Sequence, residues 1–316
     1  MIEPGRRLSA AVAFGAGLVV AVQGRINGEV GDLTGNGVLG AILNFSVGLT
    51  LLIVVVFSRR ATRDALRGLP GLIGPGLPWW TLAGGVGGAV YVTGQSTTVA
   101  VLGVALFTVA TVAGSTGAGL IVDKVGLGPG GRVPVTAWRV VASVLAVVAV
   151  WVGSGGRDDV GAVSVPFLLL ALAAGAAGAA QVAVNGRVST ATRQPLVATL
   201  VNFVVGLATL LLIVLGQWLL TPDRVGSMQP VAERPWLLVG GAMGVLFVAG
   251  SAWSVRALGV LLLSLIVLAG TLVGAVAVDV VVPTDGASVN AYLLGGIALT
   301  FASVGLAVVR RRGRLP

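Results

Sequence analysis

The chain has no cysteine and no histidine among its 316 residues, and only 10% of them are charged. Without cysteine there are no disulfides. Without either residue there are no metal sites of the usual nitrogen and sulfur type, and no nucleophile built on Cys or on a Ser-His pair. Carboxylate-only chemistry is all that an enzyme reading keeps, and 11 Asp and Glu supply it thinly. No catalytic residue, metal or cofactor is therefore expected. The scarcity of charge, set against 56% hydrophobic residues, 49 glycines and a mean hydropathy of +1.02, excludes a soluble domain of this length. What remains is an integral membrane protein.

Apolar runs long enough to cross about 30 Å of hydrocarbon fall at 8–28, 36–57, 80–96, 99–121 and 135–153, then at 164–186, 194–217, 236–252, 256–281 and 290–309. They predict an all-α fold of five plus five transmembrane helices. Arg6-Arg7 before the first run resembles the start of a signal peptide, but the run recurs in mid-chain and is read as a retained helix. The stretches near 58–79 and 218–235, rich in Pro and Gly, read as connections.

The recurrence extends along the chain. QGRING at 23–28 returns as QVAVNG at 181–186, and NFSVGL at 44–49 as NFVVGL at 202–207, both at an offset of 158. Gly84-Gly85, Leu102-Gly103, Ala113-Gly114 and Asp123 return as Gly240-Gly241, Leu258-Gly259, Ala269-Gly270 and Asp279 at an offset of 156. Two homologous units follow, 1–157 and 158–316. An odd number of helices per unit turns the second upside down in the bilayer, an arrangement typical of secondary transporters.

Charge agrees with that inversion. Of the 20 Lys and Arg, 16 gather on one side: Arg6, Arg7, Arg59, Arg60, Arg63, Arg67, Lys124, Arg132, Arg139, Arg187, Arg193, Arg256, Arg310, Arg311, Arg312 and Arg314. Arg25, Arg157, Arg224 and Arg234 remain for the other. By the positive-inside rule both termini are cytoplasmic. The net charge of +9 then meets anionic lipid. A nucleic-acid partner would need a basic face on a soluble domain, which is lacking.

Comparing the first helix with its copy separates two faces. At 100° per residue, the identical positions Ala13, Ala16, Gly17, Ala21, Gln23, Asn27 and Gly28 share an arc of roughly 160°. Packing against a helix restricts side-chain shape more than lipid does, so this arc is expected to face inward. Its Ala13, Gly17, Ala21 ridge suits close helix packing. Gln23 with Asn27, and Gln181 with Asn185, place two amides on one face of each helix. Such amides need a helix, water or substrate as partner. Asn44 and Asn202 open the NFxxGL repeats in mid-helix, where either an interhelical hydrogen bond or a substrate contact would keep them.

Thr108 matches Ser264 and Ser115 matches Thr271, a stripe that could line a polar path or bond within its own helix. The matching acids Asp123 and Asp279 end the fourth and ninth helices and are candidates for ion coupling or for anchoring the helix ends. No other acid falls well inside a span, so coupling through a central carboxylate is not supported.

The duplicated Q-x-x-x-N-G and N-F-x-x-G-L, the W-x-L-x-G-G opening at Trp80 and Trp236, and VDKVGLG at 122–128 resemble the YdcZ-like branch of the drug/metabolite transporter superfamily, in a fused two-repeat form. The resemblance implies an EamA-like fold of two inverted five-helix repeats in the cytoplasmic membrane. It implies export of a small metabolite or drug-like solute by alternating access. A lipid or lipid-linked sugar flippase, or a non-transporting subunit, are the alternatives; membrane lipid and a small solute are the expected partners, and a homodimer is left open. The chain departs from the pattern at Gly114-Ser115 and Gly270-Thr271, where relatives carry Gln after the glycine, and at VDVVVPTDG (278–286), where the acid motif loses its glycines. It has Gln23 where small multidrug-resistance relatives use Glu, which removes their route for cation export.

Overall fold

The computed structural model describes residues 4–74, 76–155, 164–283 and 289–309. The expected boundary between the units, at 157/158, lies outside them. The helices are α1 (Pro4–Thr34), α2 (Gly37–Ser58), α3 (Arg60–Leu72), α4 (Gly84–Val125), α5 (Ala137–Gly153), α6 (Ser164–Thr192), α7 (Pro195–Leu220), the short α8 (Gln229–Ala232), α9 (Val239–Val281) and α10 (Ala291–Val309). The stretch after α2 is more than a connection. It contains α3, whose Leu69 packs against Val188 and Val197.

Although α4 and α9 are each assigned as one helix, both are hairpins. At Gly103 the backbone turns to φ 77°, a region that L side chains resist and glycine enters freely. Packing locates the fold-back. Gly94 lies against Ala174 and Gly114 against Leu172, close neighbours on α6, although 20 residues of straight helix would separate them by about 30 Å. Likewise Gly250 lies against Val12 and Ala16, and Gly270 against Phe14 and Gly17. Each hairpin thus clasps the first helix of the opposite unit: α4 holds α6, and α9 holds α1.

Counting each arm, ten crossings are formed among the described residues. The sequence places the third and fourth spans at 80–96 and 99–121; the structure has arms at 84–102 and 104–125, separated by a single residue. A glycine with positive φ lets an apolar stretch reverse without a loop.

The direction of each crossing follows from the contacts. Starting from the N-terminal end of α1, here the near side, the chain reaches the far side at Thr34. Gly24 abuts Val104 just past the α4 turn, and that turn lies beyond Gly94, which packs on the start of α6. So α6 begins where α1 ends, and the two units are inverted. α10 returns to the near side.

The arc of α1 identical to its copy is the packed one. Ala13, Ala16 and Ala21 are 0%, 6% and 1% exposed, while Val22 is 37% exposed. A Cβ at Gly17 would overlap the Val267 carbonyl oxygen, and one at Gly175 the Thr111 carbonyl; Gly270 and Gly114 press equally on Phe14 and Leu172. Backbones therefore touch at two related crossings, α1 with α9 and α6 with α4. Ser303 Oγ, donating to the Ala142 carbonyl at 2.8 Å, ties α10 to α5.

Gly17→Leu should prevent the α1–α9 approach and cost about 3 kcal/mol or more. Gly15→Leu, at a site with nothing within 4 Å, should stay within about 0.5 kcal/mol of the parent. Unfolding of the two purified variants in detergent measures the contrast.

Candidate functional site

The repeated amides gather into two clusters, each bonded within one unit and faced by glycines of the other. On the far side, Asn44 Nδ2 donates to Asn27 Oδ1 at 3.0 Å, and Asn27 Nδ2 donates to Gln95 Oε1 at 2.7 Å. All three side chains are buried. On the near side, Gln181 Nε2 and Asn185 Nδ2 both donate to Asn202 Oδ1 at 2.9 Å. Gln181 and Asn185 are only half-buried. Glycines of the opposite unit make room: Gly84 and Gly88 lie on the near-side amides, and Gly240 and Gly244 lie beside Asn27 and Gln23. The doubled glycines are spacing for the amides.

Between the clusters stand two rings. Phe45 follows Asn44, Phe203 follows Asn202, and their centroids are 4.9 Å apart. A Cβ at Gly206 would overlap the Phe45 ring, and one at Gly48 the Phe203 ring. Each NFxxGL repeat thus supplies an amide, a ring and the hollow that takes the other repeat's ring.

The far-side cluster is closely packed, beneath a cleft of about 620 Å³ lined by Asn36, Thr97 and Gln217. Beside the Asn27–Gln95 bond, α4 is wedged between α1 and α2: Gly28 lies on Val99, Gly31 and Gly40 on Ser96, and Gly37 on Thr97. Asn36 caps α2 through the Val38 N–H at 3.0 Å and donates to Gln217 Oε1 and the Val225 carbonyl, which ties the 221–228 segment over the same end. Near-side counterparts differ. Gly186 meets Pro129 instead of a helix, the positions of Gly31, Gly37 and Gly40 hold Ser189, Pro195 and Ala198, and Gln95 is matched by Ser251, whose hydroxyl is buried without a partner.

The acids also diverge. Asp279 is 5% exposed and accepts the N–H groups of Val104 and Ala105 at 2.9 and 2.8 Å, capping the helix that restarts after Gly103 in the other unit. Asp123 pairs with Arg139 instead, both partly exposed. The VDKVGLG motif forms a glycine C-cap: Gly126 has φ 73° and the Leu127 N–H donates to the Val122 carbonyl at 2.9 Å. Arg187 fixes it from α6, donating to the Leu127 and Gly126 carbonyls at 2.8 and 2.6 Å while lying 5.4 Å from the Trp80 ring centroid.

The hydroxyl stripe bonds largely within its own helices. Thr108 donates to the Val104 carbonyl, Ser115 to Val112 and Thr271 to Val267, and Ser264 also has a partner. Gln95 and Tyr91 escape a search for repeated polar positions, because their counterparts are Ser251 and Phe247. Tyr91 stands edge-on to Phe107 at 5.9 Å and against Gly178, one turn before Gln181.

The sequence profile of the family described as "Putative inner membrane exporter, YdcZ" matches residues 8–152 and 166–306. The chain belongs to that family. It is accordingly a multi-pass inner-membrane protein of an exporter family, of the drug/metabolite transporter type, rather than of an enzyme family. No curated protein matches it. One solved crystal structure is similar over 99% of this chain and 100% of its own, with 18% identity and a TM-score of 0.56, which shows a shared fold.

The two acids should separate in a stability measurement. Asp279→Ala leaves two buried N–H groups unpartnered, at about 1–3 kcal/mol each. Asp123→Ala breaks a partly exposed ion pair, worth about 0–1 kcal/mol. Equilibrium unfolding of both variants in one detergent gives the comparison.

Proposed function

We propose that the protein is a secondary carrier for a small polar solute, working by alternating access, and that the structure corresponds to a state closed on the far side and accessible from the near side. The observation that carries this reading is the inequality of the two amide clusters. Gln95 and four glycines lock the far one, whereas the near one keeps two half-buried amides and has a loop, at Pro129, where its counterpart has a helix.

Arg and Lys crowd the near side, so that side is assigned to the cytoplasm, together with both termini. Solute would then enter from the cytoplasm, meet Gln181, Asn185 and Asn202, and leave past Asn27, Asn44 and Gln23. The tilted, touching rings of Phe45 and Phe203 between the clusters serve as the barrier. Exchange of the units' conformations would break the Asp279 cap and move Asp123 from Arg139 to the turn of α9. Asp123 and Asp279 act here as latches and not as ion sites.

Flux of a metabolite panel through proteoliposomes tests the function, with Asn44→Ala and Asn202→Ala expected to lower it at least about tenfold. Movement of labelled lipid without solute would overturn the carrier reading. Because the chain lacks cysteine, accessibility can be tested with single introduced thiols. Gln181→Cys should react with an impermeant maleimide applied from the near side, and Gln95→Cys should resist it from both.

A further inference from the structure

We propose that the elbow between α2 and α3 is a binding site for an anionic phospholipid, with its phosphate held by arginines and its acyl chain lying along α2. The proposal uses the fold and does not depend on what the carrier transports. Five observations meet at this place.

First, α3 is divided cleanly. At 100° per residue, Arg60, Arg63, Asp64 and Arg67 share an arc of about 100°, and Thr62, Ala65, Leu66, Leu69 and Leu72 share the opposite arc of about 120°. Second, the apolar arc is already occupied: Leu69 packs with Leu77, Val188, Val197 and Ala198. The helix is therefore held on the protein, and its basic arc is free to meet something else. Third, that arc is poorly neutralised within the chain. Asp64 lies 3.9 Å from Arg60 and 3.7 Å from Arg67, and the two arginine side chains remain 90% and 77% exposed.

Fourth, the arginines start one residue beyond a membrane span. Arg59 follows the last residue of α2 and Arg60 begins α3, so the guanidinium groups stand where hydrocarbon gives way to headgroups. Arg63 donates to the Phe57 carbonyl, which draws its guanidinium onto the end of α2 and leaves its other N–H groups available. Fifth, the last turns of α2 below them are apolar and uncovered: Ile53, Val54 and Phe57 are 44%, 63% and 52% exposed. A cationic crown above an apolar strip has the chemistry of a diacyl lipid with a charged phosphate. Guanidinium forks hold phosphate oxygens in pairs, and a zwitterionic headgroup would bring its ammonium, a like charge, into the same arginine cluster.

The test uses the full-length protein in native mass spectrometry from detergent, with phosphatidylglycerol and phosphatidylethanolamine of the same acyl chains as probes. The parent should retain phosphatidylglycerol at least about fivefold better than phosphatidylethanolamine. Arg60→Gln/Arg63→Gln/Arg67→Gln should remove that preference while leaving the unfolding temperature within a few degrees. The matching Lys variant keeps the charge without the fork and should fall between them. A second arm adds millimolar inorganic phosphate, which should not displace the lipid if the Ile53–Phe57 strip holds the chain. Equal retention of the two lipids by the parent, undiminished retention by the Gln variant, or complete displacement by free phosphate would each overturn the proposal.

Discussion

Contact between backbones at glycine is the constraint on which this molecule depends. In a bilayer, lipid tails compete for apolar surface as well as any side chain, so helices associate where their shapes allow unusually close approach. Gly17 with Gly270, and Gly175 with Gly114, bring α1 to α9 and α6 to α4 until carbonyls and glycine Cα atoms meet. Everything placed on those helices inherits that distance. The amides of α1 and α6 reach partners on α2 and α7 because the hairpins press so closely from the other side.

The same constraint explains how two units of one ancestry adopt different postures. A wedge of α4 between α1 and α2 is possible where Gly28, Gly31, Gly37 and Gly40 leave space. The equivalent wedge of α9 would meet Ser189, Pro195 and Ala198. Closure of the two sides is therefore unequal in packing, and the energies of the two end states need not match. Asp279 and Asp123 follow suit: one is spent on backbone N–H groups, the other on an arginine for which α10 offers no analogue.

Much of the architecture was legible in the sequence because duplication provides an internal standard. Positions repeated at a constant offset were the ones under packing or hydrogen-bonding demand, and Asn27, Asn44, Gln181, Asn185 and Asn202 were found that way. The same reasoning passed over Gln95, since a residue without a twin looks like drift. It treated the segment after Ser58 as a connection, because the glycines and prolines around α3 hide a 13-residue amphipathic period. Hydropathy alone could not show that α4 folds back at the single residue Gly103, since no polar loop marks the reversal. The hydroxyl stripe was seen but not decided, because seven-residue spacing fits a lining and a self-bonded helix equally well.

The reciprocal fit of Phe45 into Gly206 and Phe203 into Gly48 has a consequence beyond this chain. One NFxxGL segment carries both a knob and the hollow that accepts it, so the contact is self-complementary about a twofold axis lying in the membrane plane. A polypeptide with a single such unit could form the same junction with an identical copy inserted the other way up. Fusion was not needed to create the interface. What joining the units permits is divergence: Gln95 can differ from Ser251 only when the two positions are encoded separately.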